Sequence, residues 1–133
     1  MYNGHIGTDT MLHMDMTNAL NFLVYMEGLA KESKWLTGDK TEPSALWLLW
    51  QGEDVGLLQE YLRVYFKLPS NVDPINSGDL HITPDMLEEL EAHGVSPYVV
   101  HQRVGQAVII PALTPHYVCL YRPILVKLIF YVP

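Results

Sequence analysis

His13 and Asp15 stand one residue apart, and far along the chain His116 follows the proline-bracketed segment Pro111-Ala112-Leu113-Thr114-Pro115. On a β-strand, residues i and i+2 point to the same side, so the His13 imidazole and the Asp15 carboxylate can converge on one ion. His116, at the start of another predicted strand, offers a third ligand. Two histidines and a carboxylate on one face of an octahedral metal, with the remaining positions open, form the donor set of non-haem Fe(II) oxygenases. An H-x-D pair with a distant His also recurs by chance, so its weight depends on the elements that carry it.

The remaining reactive side chains read as structural. His5, His81, His93 and His101 have no partner at ligand spacing, and His93 at a predicted helix end favours the helix dipole. Cys119, between Val118 and Leu120, reads as a small buried side chain without a base to activate it. Trp47, Trp50 and a run of tyrosines have aromatic faces able to hold a methylated ammonium, but their helical spacing predicts core packing.

Two strand-rich parts flank a helical middle. Leu12, Met14 and Met16 alternate with His13, Asp15 and Thr17, and the apolar run Phe22 to Met26 follows, which predicts two strands over Met11 to Tyr25. Gly28 to Pro43 is polar and reads as an exposed connector or lid. Ser44 is placed to cap a short helix carrying Leu46, Trp47, Leu49 and Trp50. Asp54 is placed to cap a second helix with Leu58, Tyr61, Leu62 and Tyr65 as its core stripe. Thr83-Pro84-Asp85 opens a third, Met86 to His93, stopped by Gly94. Beyond Pro97, the segments 98–104, 107–110, 116–121 and 124–131 are short and β-branched or aromatic, which predicts an antiparallel sheet or barrel.

Composition narrows the class. The chain has 133 residues, 49% of them apolar and 17% charged, enough for one packed domain. A net charge of −7 lacks the basic stripe that nucleic-acid phosphates require, so direct DNA binding is disfavoured. The single cysteine excludes an internal disulfide framework and a Cys-based zinc site, and fits a reducing intracellular compartment. The N-terminus lacks the pattern of a signal peptide. The apolar stretch from Pro123 to Pro133 carries Lys127 and is about half the ~20 residues needed to cross a bilayer, so it reads as a buried strand and no membrane is expected.

Gly7 precedes His13 by six residues, and Gly105 precedes a strand ending at Pro111 with His116 five residues on; both spacings are similar to the paired motifs of cupins. More specifically, Leu12-His13-Met14-Asp15-Met16 with Asn18-Ala19-Leu20-Asn21, Ser44-Ala45-Leu46-Trp47, Asp73-Pro74-Ile75, Gly94-Val95 and Ile109-Ile110-Pro111 through Pro115-His116 resemble, in order, the JmjC domain of the histone H3 lysine-9 demethylase family that includes hairless. The resemblance runs over nearly the whole chain, and its specificity lies in the ordered set.

The resemblance implies a mainly β fold, a cupin-like double-stranded β-helix over residues 1–133 with a helical insert at about 44–93, incomplete at its N-terminus. It implies Fe(II) held by His13, Asp15 and His116, with 2-oxoglutarate as co-substrate. Lys31, near the family's spacing after the first His, would meet the far carboxylate of 2-oxoglutarate, and Asn21 would hydrogen-bond the co-substrate. The implied activity is oxidative removal of N-methyl groups from a methylated histone H3 tail, in the nucleus, among chromatin-associated proteins. Two departures stand out: Gln106 follows Gly105 where the family has an acidic residue, and Leu113 replaces the glycine of the turn before His116. They leave room for a catalytically inactive chromatin scaffold. A metal-binding cupin with another small substrate is a third possibility, disfavoured by the helical middle.

Overall fold

The computed structural model describes residues 10–26, 45–120 and 124–132. Among them, the strands are β1 (Thr10–His13), β2 (Asn18–Met26), β3 (Ala45–Leu49), β4 (Tyr98–Gln102), β5 (Ala107–Ile110), β6 (His116–Leu120) and β7 (Ile124–Val132). They form a four-stranded sheet in the order β1-β6-β3-β4 and a three-stranded sheet in the order β5-β2-β7. Every pairing is antiparallel. The chain shuttles between the two sheets, which face each other through Ala19, Val108 and Ile110 on one side and Trp47, Val118 and Leu120 on the other. This is the expected mainly β, cupin-like double-stranded β-helix with helices inserted.

The first expected helix is β3 instead. All of Ala45 to Leu49 are buried, with Ala45, Trp47 and Leu49 in the core between the sheets. Leu46 and Leu48 enter a second core on the opposite face. A strand covered on both faces shows no polar alternation, and Leu46, Trp47, Leu49 and Trp50 satisfy a helical stripe equally well. Among the described residues, helical structure therefore begins with a short 3-10 turn at Gly52–Asp54 rather than near position 44, the expected start of the insert. Ser44 lies outside the described residues.

The two predicted helices that follow are present as α1 (Val55–Tyr65) and α2 (Pro84–Ala92). Leu58 and Leu62 of α1 and Met86 and Leu90 of α2 are fully or almost fully buried against the outer face of the four-stranded sheet, each contributing on the order of 1.5–3 kcal/mol. Tyr65, expected in the α1 core stripe, is 46% exposed. Asp54 was expected as a side-chain cap, yet its backbone is already helical after the 3-10 turn and its carboxylate caps nothing. Thr83 does cap α2, its hydroxyl accepting the Met86 N–H, with Pro84 in the first turn and Gly94 at φ 79° behind it. The Tyr61 hydroxyl joins the helices by donating to Glu89 at 2.7 Å; burial and that carboxylate push its pKa well up.

β7 departs from the buried strand expected there: Lys127 to Val132 are exposed. Among the described residues it has β2 on one side only, so it is an edge.

Candidate metal centre

His13 and His116 face each other as cross-strand partners at the end of the β1–β6 ladder. From the pair Thr10 and Val118 to the pair His13 and His116, β1 advances three residues while β6 advances two, and the register shift between them is a bulge. The extra residue lets Thr10 and His13 both line the cleft between the sheets. The ring centroids of His13 and His116 are 4.1 Å apart.

Each imidazole is aimed by its own chain. Nδ1 of His13 lies 2.8 Å from the Met11 carbonyl, and Nδ1 of His116 lies 2.9 Å from the Thr114 carbonyl. A carbonyl only accepts, so both Nδ1 atoms donate, and both Nε2 lone pairs are left for a metal. Those two Nε2 atoms lie 3.9 and 3.8 Å from the same Asp15 Oδ2. One ligand atom from each of the three residues falls within 4.8 Å of the others. His116 is 4% exposed; burial is the main cause that lowers its pKa, and the neighbouring His13 adds to it. The Thr114 hydrogen bond and Asp15 act in the other direction. A neutral imidazole is the ligating form, so this environment suits a divalent metal.

Asp15 is not on the strand with His13, as the spacing suggested, since β1 ends at His13. Its backbone is instead tied to the turn before His116: the Leu113 N–H donates to the Asp15 carbonyl at 2.8 Å. Asn18 Oδ1 accepts the Ala112 N–H at 2.8 Å, pinning the same turn. Leu113 sits at φ 60°, the left-handed region that favours glycine. The turn therefore keeps a glycine-like conformation at a cost of about 1–2 kcal/mol. On the other flank, Asp73 accepts the Ile75 N–H at 3.0 Å and an Asn76 side-chain N–H at 2.9 Å. Asn76 Oδ1 then accepts the N–H of Met14, the residue between the two ligands, at 3.3 Å.

Asn21 is 7% exposed and lines the same cleft as the three ligands. Lys31 lies outside the described residues, as do His5 and Gly7. Sequence reasoning missed Gln102, Trp47 and Lys127, which also line the cleft. The expected helix over this segment hides Trp47 among core residues, whereas on β3 its ring stacks near His116 at 6.0 Å. Gln102 ends β4 between His101 and Arg103, so nothing in the sequence sets it apart, whereas Lys127 is the one charged residue in the apolar run of β7.

No family model matches the chain. Among known proteins it is similar to the lysine-specific demethylase JMJ29 of Arabidopsis thaliana, with 35% identity over 85 residues, 56% of this chain and 10% of that protein. It is similar to the probable JmjC domain-containing histone demethylation protein 2C of Mus musculus, 30% identical over 85% of this chain and 6% of the relative. Lysine-specific demethylase 3A of Homo sapiens is 27% identical over 82% of this chain and 10% of its own length. The chain thus spans a tenth or less of the length of these relatives.

Proposed function

We propose that the chain is the metal-bearing part of a JmjC-type histone demethylase, an Fe(II)- and 2-oxoglutarate-dependent oxygenase that acts in the nucleus on methylated lysine 9 of histone H3. The observation that carries this reading is the convergence of two histidine Nε2 atoms and one carboxylate oxygen in a cupin-like cleft. His13, Asp15 and His116 would hold the iron. Iron held there would supply the chemistry of a 2-oxoglutarate oxygenase, in which dioxygen oxidatively decarboxylates 2-oxoglutarate and an N-methyl group is hydroxylated and lost as formaldehyde.

The rest is done by the chain. The carbonyls of Met11 and Thr114 keep the imidazoles in the ligating tautomer. The apolar residues between the sheets limit water on the inner side of the cleft. Asn21 offers a side-chain amide to the co-substrate, and Lys127, the one cation among the described residues lining the cleft, offers a charge for a carboxylate besides Lys31. The glycine-like Leu113 turn supports the oxygenase over the inactive scaffold, because the substitution that suggested a scaffold leaves the turn bonded to Asp15.

The test is formaldehyde release from a dimethyl-lysine 9 histone H3 peptide, with Fe(II) and 2-oxoglutarate supplied. Release that disappears in His13→Ala, Asp15→Ala and His116→Ala is expected. A chain that binds metal but consumes no 2-oxoglutarate with any methyl-lysine peptide would contradict the oxygenase and favour the scaffold.

A further inference from the structure

Gln102 is 2% exposed, and every atom of its carboxamide has work assigned by its neighbours. Its Oε1 accepts the Trp47 indole N–H at 2.8 Å. Its Nε2 faces the Gln106 carbonyl at 3.0 Å and the Asn21 carbonyl at 3.2 Å. The indole only donates and the two carbonyls only accept, so the amide has one allowed orientation. Two N–H hydrogens meet three acceptors here, so the one directed at the Asn21 carbonyl is shared with the Asn21 side-chain Oδ1 at 3.4 Å. With Oδ1 so engaged, the Asn21 N–H2 is the end left over, on a residue that lines the cleft beside His13, Asp15 and His116.

We propose that Gln102, locked by Trp47, is a positioning residue that fixes Asn21 as a hydrogen-bond donor toward an anionic oxygen of the co-substrate. The proposal rests on the reading of the cleft as a 2-oxoglutarate site. A free asparagine amide can present either end, and presenting its oxygen to a carboxylate sets two acceptors against each other. The relay removes that second orientation before the ligand arrives, so no free energy is spent on selecting it. The bonds are buried, where an unmatched polar group is costly.

Gln102→Glu keeps the shape and the acceptor for Trp47 but replaces the donor facing Asn21 with an oxygen. Asn21 then turns its N–H2 toward residue 102 and its oxygen to the cleft. The experiment is calorimetric titration of the full chain, loaded with Mn(II), by 2-oxoglutarate. The expected result is a loss of 2-oxoglutarate affinity of about tenfold or more in Gln102→Glu, with Mn(II) affinity unchanged. Trp47→Phe removes the indole N–H together with part of a ring that packs near His116, so Mn(II) affinity is measured beside it; freeing the Gln102 amide gives a smaller loss of 2-oxoglutarate affinity, about threefold to tenfold, and this variant carries the test if the buried charge prevents folding. Two-dimensional NMR of the side-chain amides adds a ligand-free readout, in which the Trp47 variant shifts the Asn21 N–H2 resonances. Unchanged 2-oxoglutarate affinity in the folded variants overturns the relay and leaves the site reading standing. An unaltered chain that binds Mn(II) but not 2-oxoglutarate overturns both.

Discussion

Trp47 and Leu48 are neighbours on β3, and His116 and Tyr117 are neighbours on β6, yet each pair divides between two unlike regions. Leu48 and Tyr117 enter the core beneath the helices with Leu58, Leu62, Met86 and Leu90. Trp47 and His116 point the other way and line the cleft with Asp15, Asn21 and Gln102. Because side chains alternate along a strand, one backbone serves both regions. The helix-covered face can be apolar and close-packed because the chemistry is confined to the other. Its function is to hold the strands so that polar residues on the inner face are presented in fixed directions.

Adjacent substitutions on β6 should separate the two regions most sharply. His116→Ala is expected to lower divalent-metal affinity by more than the ten- to hundredfold typical of removing an outer-shell partner, with a smaller loss of stability in the metal-free protein than Tyr117→Ala. Tyr117→Ala should do the reverse. It should cost about 3–5 kcal/mol in urea unfolding while leaving the three ligands in place. Metal affinity that falls equally in both would mean the faces are not independent.

Proton uptake tests the same division at smaller amplitude. Burial lowers the pKa of His116 from its ordinary 6.5, so below about pH 6.5 the unfolded chain takes up a proton that the folded one resists. Stability of the metal-free protein should therefore fall with pH from about 6.5 down toward the lowered value, by up to ~1.4 kcal/mol per pH unit. Above 6.5 this residue contributes no slope. His116→Gln should remove that part of the slope in urea unfolding measured between pH 5 and 7, and an unchanged slope would deny the buried, neutral imidazole.

The smallest effect belongs to the turn that joins two ligands. Leu113→Gly relieves a left-handed backbone at φ 60° and should raise stability by about 1 kcal/mol without altering metal affinity. A loss of stability would show that the exposed Leu113 side chain makes a contact worth more than the strain.

Much of this was legible before the fold. H-x-D, the late His116 and the flanking prolines pointed to the three converging residues, although Asp15 lies beyond the end of β1 and converges without strand alternation. The cap and stop of α2 were legible because Thr83, Pro84 and Gly94 act within a few residues of themselves. β3 was not, since its apolar run reflects burial on both faces, and which faces are covered is decided by distant strands and helices. Asp15 was expected on the strand, and only the Leu113 N–H on its carbonyl reveals that the late turn holds it. Gln102 was invisible as a functional residue because its partners, Trp47, Asn21 and Gln106, meet only when the two sheets face each other.

On this account β1, β6 and the turn bonded to the Asp15 carbonyl aim His13, Asp15 and His116 at one divalent ion. Calorimetric titration of the metal-free chain with Mn(II), a redox-stable stand-in for Fe(II), tests it most directly when repeated on His13→Ala, Asp15→Ala and His116→Ala. Saturation at one ion per chain in the unaltered protein, with the site lost in each folded variant, is the predicted result. Binding that survives all three substitutions, or no binding by the unaltered folded chain, would contradict the account.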